Sequence, residues 1–338
     1  MRNTRSTYRV VALAIIMVTI LVSGSSTAED LRCDYCGKVI TEQYVQDGDK
    51  CYHESCYREH VLPRCAVCGK PIEGRYTVYD GKPYHDSCWK RNVALRCAVC
   101  GQIIEGDHLI DNWGNHYHSR HQDELPACSF CGRLICMRVT GGGRAYDDRH
   151  HICNLCREYA VTDTYIARRL LDESCDRLKK VGIEVDCDEV NFQLVSAEEL
   201  AQLSGSGLAD NFGLAHYEYE TMLGITVNRK FTVYIRSGMP QMHFISTAAH
   251  ELMHVWMYQN GKDKVDPPLL EGSCNYAALL VLQQYDDDLT AYVIDCLERD
   301  PCPVYGDGFR RVATFVAEQG KAAWLEYLKD HRFFPAGR

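Results

Sequence analysis

Residues 250–254 read His250-Glu251-Leu252-Met253-His254, and Glu271 follows seventeen residues after His254. Two histidines four apart lie one above the other on one face of an α-helix, so both imidazoles can reach a single metal ion. Glu251, beside the first of them, is placed to act on water and not on the metal. Glu271 offers a carboxylate from a second helix as a third ligand. Three protein ligands and one open position describe a catalytic zinc site, whereas a structural zinc is closed by four. The chemistry such a site predicts is metal-assisted hydrolysis of a peptide bond.

The flanking sequence supplies the order this reading needs. Phe231-Thr-Val-Tyr-Ile235 is β-branched and aromatic and predicts a strand. Ser246 and Thr247 are expected N-caps of the motif helix, and Gly261 its stop. Pro267 and Pro268 end the following loop ahead of Leu269-Leu270-Glu271-Gly272. Strand, motif helix and a second helix bearing Glu form the gluzincin arrangement.

A second signal fills residues 33–156. Cys-x-x-Cys-Gly recurs at Cys33/Cys36, Cys65/Cys68, Cys97/Cys100 and Cys128/Cys131, with starts 32, 32 and 31 residues apart. This is an internal repeat. Each pair is answered by a second: His53/Cys56, His85/Cys88, His118/His121 and Cys153/Cys156. In the third unit His116 competes with His118, and in the fourth His150 competes for a place beside Cys153. The regular two-residue gap favours His118 and Cys156. Four nitrogen or sulfur ligands per unit predict a closed tetrahedral zinc. A glycine follows every second cysteine, where a tight knuckle requires positive φ. About thirty residues cannot bury a sufficient core, so zinc must supply much of each unit's folding energy. A disulfide framework is the alternative, but it has no use for histidines at cysteine spacing.

Arg2, Arg5 and Arg9 precede the apolar run Val10 to Val22, and Ser26-Thr27-Ala28 resembles a cleavage site. Residues 1–28 therefore read as a signal peptide, with an uncleaved membrane anchor as the alternative. Either places the remaining chain outside the cytoplasm, periplasmic or extracellular. Oxidising conditions there favour disulfides over free thiolates, so zinc loading on folding is expected to protect the ligands. The formal charge is −9 and grows more negative once those arginines leave, which argues against non-specific nucleic-acid binding.

The expected organisation is a signal peptide (1–28), four tandem LIM-like units (29–158), a helical connector (159–204) and a metallopeptidase domain (205–338), an α+β chain overall. Ile166, Leu170, Leu171, Cys175 and Leu178 follow helical spacing in a stretch reaching about Lys180. Ser204-Gly-Ser-Gly207 reads as a loop or linker. Seven cysteines lie outside the predicted zinc sites; Cys175 with Cys187, or Cys296 with Cys302, are candidate disulfides, and buried thiols are an equal alternative. Cys274 falls one helical turn after Glu271, near the metal or simply on a buried helix face.

The stretches Ala249-His-Glu-Leu-Met-His-Val-Trp256, Glu271-Gly-Ser-Cys274 and Pro303-Val-Tyr-Gly-Asp-Gly-Phe-Arg310 resemble the DA-one family of LIM-domain peptidases. These are the plant regulators of organ growth, together with their bacterial relatives. Cys56-Tyr-Arg-Glu-His and Cys153-Asn-Leu-Cys156 resemble the family's zinc modules. The resemblance implies a zinc metallopeptidase preceded by LIM-like modules. Two departures matter. Eight residues separate Cys56 from Cys65 and Cys88 from Cys97, where a strict LIM domain has two. The plant proteins carry ubiquitin-interacting segments ahead of the zinc modules, where this sequence reads as a signal peptide, so ubiquitin-linked activation and plant-type substrates are not carried over.

The mechanism expected from these residues has His250, His254 and Glu271 hold one catalytic zinc, with about four structural zincs in the array. Glu251 is the general base and Tyr305 a candidate oxyanion donor, or else a turn residue packed on the helices. The zinc units are expected to engage a protein partner or hold a protein substrate. An exported protein-binding scaffold with a silent peptidase domain is the alternative; a zinc store is another, against which the regular folded units argue.

Overall fold

The computed structural model describes residues 2–6, 9–12, 16–18, 31–205, 211–222, 225–262 and 264–335. Ser26-Thr27-Ala28 and Ser206-Gly207 lie outside them. The chain is α+β and divides into two compact units, Met1–Asp123 and Glu124–Arg338. The division falls between the third and fourth cysteine units, so the fourth is built into the same body as the helical domain.

Each of the first three units is a knuckle, a hairpin and a short helix. In the first, Tyr44–Asp47 pairs antiparallel with Lys50–His53, and Glu54–Cys56 begins the closing helical turn. In the second, Arg75–Tyr79 and Lys82–Tyr84 precede the helix Asp86–Asn92. The third uses Gly106–Ile110, His116–His118 and His121–Glu124. Ahead of them, Arg2–Ser6, Arg9–Ala12 and Ile16–Val18 lie antiparallel against the first hairpin strand of the third, second and first units. In every knuckle the glycine N–H closes onto the first cysteine's carbonyl at 2.8 Å, at Gly37, Gly69, Gly101 and Gly132. Their φ angles lie between 69° and 74°, the left-handed region a side chain disfavours. The apolar cores are small. The first gathers Ile40, Val45, Tyr52, Tyr57 and Leu62 around Cys33; the second gathers Ile72, Tyr84 and Trp89 around Cys65. Such cores need a metal to be stable.

The second compact unit opens with the fourth knuckle, its hairpin (Gly143–Ala145 with His151–Cys153) and the helix Asn154–Glu158. The helix Thr164–Lys180 follows, capped by the Asp163 side chain, and packs on the motif helix. Of the candidate disulfides, Cys175–Cys187 is formed, while Cys296 and Cys302 are free thiols. A three-stranded sheet comes next. Val190–Val195 runs parallel to the central strand Ile225–Arg236, and Gly213–Met222 runs antiparallel along its other side as an edge strand.

The motif helix spans Gln241–Gln259. It begins well before Ser246 and Thr247, which lie inside it and cap nothing. Pro240 precedes its first residue, and Met242, Phe244 and Ile245 are buried in its first turns, so packing carries the helix upstream of the expected caps. Its stop agrees with Gly261, at φ 72°. Pro267 and Pro268 are the first residues of the next helix, Pro267–Leu282, where a missing N–H costs nothing. That helix lies between the motif helix and Gly306–Gln319, with Gly272 and Gly308 at the close approach. Both central helices are buried on nearly all sides, as the core of a larger domain requires.

Candidate metal centres and cleft

The structure brings four sets of cysteine and histidine ligand atoms each within 4.8 Å of one another: Cys33, Cys36, His53 and Cys56; Cys65, Cys68, His85 and Cys88; Cys97, Cys100, His118 and His121; Cys128, Cys131, Cys153 and Cys156. Zn–S bonds of about 2.3 Å imply sulfur–sulfur edges of about 3.8 Å in a tetrahedron. Cys131 Sγ and Cys153 Sγ stand 3.8 Å apart. The donor sets therefore fit a tetrahedral thiophilic ion. His53, His85 and His118 present Nδ1 to their clusters, each 3.4 Å from a cysteine sulfur. Their Nε2 atoms lie 3.2, 3.1 and 3.2 Å from the carbonyls of Val39, Pro71 and Ile103. An Nε2–H donated to a carbonyl leaves the Nδ1 lone pair for metal. Burial resists ionisation of Cys33, but the backbone N–H groups of Cys36, His53 and Tyr35 prevail and bring its thiol down to about 6. His116 bonds His108 at 2.9 Å, and His150 bonds Asp147, so neither of these competitors joins a cluster.

The fifth constellation joins two helices. His250 Nε2 is 3.2 Å from His254 Nε2 and 3.2 Å from Glu271 Oε2, and His254 Nε2 is 3.5 Å from the same oxygen. Three ligands at about 2.05 Å from one ion would stand about 3.3 Å apart in a tetrahedron, so this set also fits zinc. Burial raises the Glu271 carboxyl, but hydrogen bonds and charge from the two imidazoles outweigh it and hold it below the carboxylate range. The Cys274 thiol also lies within 4.8 Å of the imidazole ligand atoms. It is fully buried, and burial keeps it protonated.

Two residues that sequence reasoning missed complete the site. Asn275 Oδ1 lies 2.9 Å from His250 Nδ1, which turns Nε2 toward Glu271. Its helical spacing from Glu271 was the available signal. Ala215, on the edge strand, donates its N–H to the buried carboxylate of Glu251. Burial pushes Glu251 up, the direction that makes a carboxylate a better base. A cleft of about 600 Å³ opens over these groups, lined by Phe212–Ala215, Thr247, the His/Glu set and Tyr305. The Tyr305 ring lies 6.4 Å from that of His250. Burial and the nearby Glu271 and Glu251 push its hydroxyl up to about 12, so it remains an O–H donor at neutral pH.

The LIM domain family matches residues 33–92, the first two units, despite the eight-residue joint between them. The Arabidopsis thaliana protein DA1 is 25% identical over 365 residues, covering 91% of this chain and 63% of the relative. Protein DA1-related 2 of the same plant is 23% identical over 373 residues, covering 91% and 65%. This chain is similar to the DA1 and DA1-related proteins over nine-tenths of its length. The LIM domain-containing protein HDR3 of Oryza sativa subsp. japonica is 23% identical and covers 66% of the chain. The chain spans less than two thirds of the length of the first two DA1 relatives named. Clusters and LIM match together make it a zinc-module protein.

Proposed function

We propose that this chain is a zinc metallopeptidase acting on a protein substrate, with LIM-like units for partner or substrate binding. The observation that carries the reading is the placement of Glu251, buried at the floor of the cleft beside the converged His250, His254 and Glu271. Those three residues would hold one zinc, and the four Cys/His sets four more. Zinc supplies Lewis acidity to water and to a substrate carbonyl when bound. Glu251 accepts a proton from the attacking water and returns it to the leaving amine. Tyr305, which lines the cleft, would donate its hydroxyl hydrogen bond to a developing oxyanion. The edge strand contributes main chain. Arg236 N–H donates to the Phe212 carbonyl on the inner side, and Ala215 N–H faces Glu251 on the other. Alternating directions leave the Gly213 and Ala215 carbonyls facing the cleft, where an extended peptide can add as a strand.

The expected layout is residues 1–28 as a signal peptide and 29–158 as four zinc units, followed by the 159–204 connector and the 205–338 peptidase domain. The Cys175–Cys187 disulfide supports an exported location. Cleavage of a denatured protein library by wild type and Glu251→Gln, with zinc measured in both, tests the activity. The variant should lose hydrolysis by about 10²-fold or more while keeping its metal. Equal cleavage by both, or none by wild type with zinc present, favours a protein-binding scaffold.

A further inference from the structure

The fourth zinc unit differs from the others at one repeat position. The residue before the second knuckle cysteine is 52% exposed at Tyr35 and 43% at Val67, but Phe130 is 1% exposed. Phe130 meets three rings edge-on, Tyr146 at 5.0 Å, Phe212 at 5.9 Å and His243 at 5.1 Å. Beside them, buried Arg236 ends the central strand. Its guanidinium lies over Tyr146 at 4.3 Å and Phe212 at 5.5 Å, and it pairs with the Asp147 carboxylate. Tyr146 donates its hydroxyl to the Ser237 carbonyl at 2.7 Å. Asp147 is held in turn by the Arg149 N–H and by His150, whose ring is 5.4 Å from Phe212.

Phe130, Tyr146, His150 and Arg236 all reach Phe212, the residue before the edge strand. The next residue, Gly213, lies against the Glu251 side chain, and Ala215 donates to the Glu251 carboxylate. An edge strand has a ladder on one side only, so its outer position depends on what else grips it. Here the grip comes from the zinc unit.

We propose that the fourth zinc unit is a structural wall of the cleft, and that Tyr146, Asp147 and Arg236 are positioning residues that seat Phe212–Ala215 against Glu251. The catalytic consequence rests on the peptidase reading; the seating itself does not. Tyr146 does not itself line the cleft, so its replacement reaches the site only through Phe212–Ala215. The test compares full-length Tyr146→Ala, Tyr146→Phe and wild type by amide hydrogen exchange, zinc content and steady-state peptide hydrolysis.

Tyr146→Ala is expected to raise exchange at the Ala215 amide by ~10-fold or more while the buried motif helix keeps its protection. With all zinc retained, kcat/KM should fall ~10-fold or more. Tyr146→Phe, which keeps the ring, should recover most of both. Wild-type exchange at Phe212–Ala215 in Tyr146→Ala overturns the proposal, as does a rise spread evenly over residues 124–335. Local loosening in a protein that cleaves no peptide sustains the seating and removes the peptidase reading instead.

Discussion

His250 donates Nδ1–H to the side-chain oxygen of Asn275 at 2.9 Å, across the interface of the motif helix and the helix that carries Glu271. No hydrogen-bond partner stands at His254 Nδ1 among the described residues. The first ligand is thus held in one orientation by a partner on the other ligand's helix.

Removing that partner should weaken the catalytic site selectively. Asn275→Ala leaves the His250 ring free to turn, and affinity for the catalytic zinc should fall ~10- to 100-fold. Asn275→Asp keeps an acceptor and should hold zinc at least as tightly as wild type. Competition with a graded chelator reads both values. Equal affinities for all three proteins would show that Asn275 has no such role.

Gly213→Ala addresses the base without touching a ligand. A Cβ there would stand 2.6 Å from Glu251 Oε1 and 2.7 Å from Thr247 Cγ2. The carboxylate is the movable party, so it should shift and lose the Ala215 N–H. Hydrolysis should drop by up to about 10²-fold, because displacements of about 1 Å have that effect. Zinc content should not change. Wild-type kcat in Gly213→Ala would show that the cleft accommodates the methyl group.

Gly272→Ala tests packing. The added methyl would collide with the backbone of Gly308 and Phe309, which cannot swing aside as a side chain can. Overpacking of this kind costs about 3 kcal/mol. Thermal unfolding of a domain this size should then begin lower, by about 2–4 °C per kcal/mol. An unaltered melting curve would mean the two helices separate freely, against the fold.

Metal stoichiometry separates the sites. Elemental analysis should give five zinc ions per chain. Mild chelation should remove one, the ion in the open three-ligand site, and leave the four closed sites filled. His254→Ala should contain four. A wild-type count of one, with the array's cysteines oxidised, would rule out the repeat as a set of zinc units.

Much of this was legible because it is local. A four-residue helical spacing fixed the two histidines, and repeat arithmetic fixed the sixteen array positions. Pro267 and Gly261 bound their helices through backbone chemistry that any sequence displays. What stayed hidden depends on long-range contacts. Asp147 and Arg236 are 89 residues apart, and neither carries a local sign of the other. Gly213 reads as an ordinary glycine until the edge strand is laid against Glu251. Ser246 and Thr247 have good capping chemistry, but burial of Met242, Phe244 and Ile245 starts the motif helix earlier through tertiary packing. Phe130 carried no distinguishing sign, because the first unit has an exposed aromatic ring, Tyr35, at the same repeat position.

The division between Asp123 and Glu124 bears on how such proteins can be rearranged. A gene that drops, duplicates or exchanges its first three units leaves every group around Glu251 in place. A break after Cys156 strips Phe130, Tyr146 and Asp147 away from Phe212 and Arg236. Shuffling of whole modules should therefore be tolerated upstream of Glu124 and selected against downstream. The shortest fragment that keeps an intact cleft should begin at Glu124, although the repeat alone suggests cutting after its fourth copy.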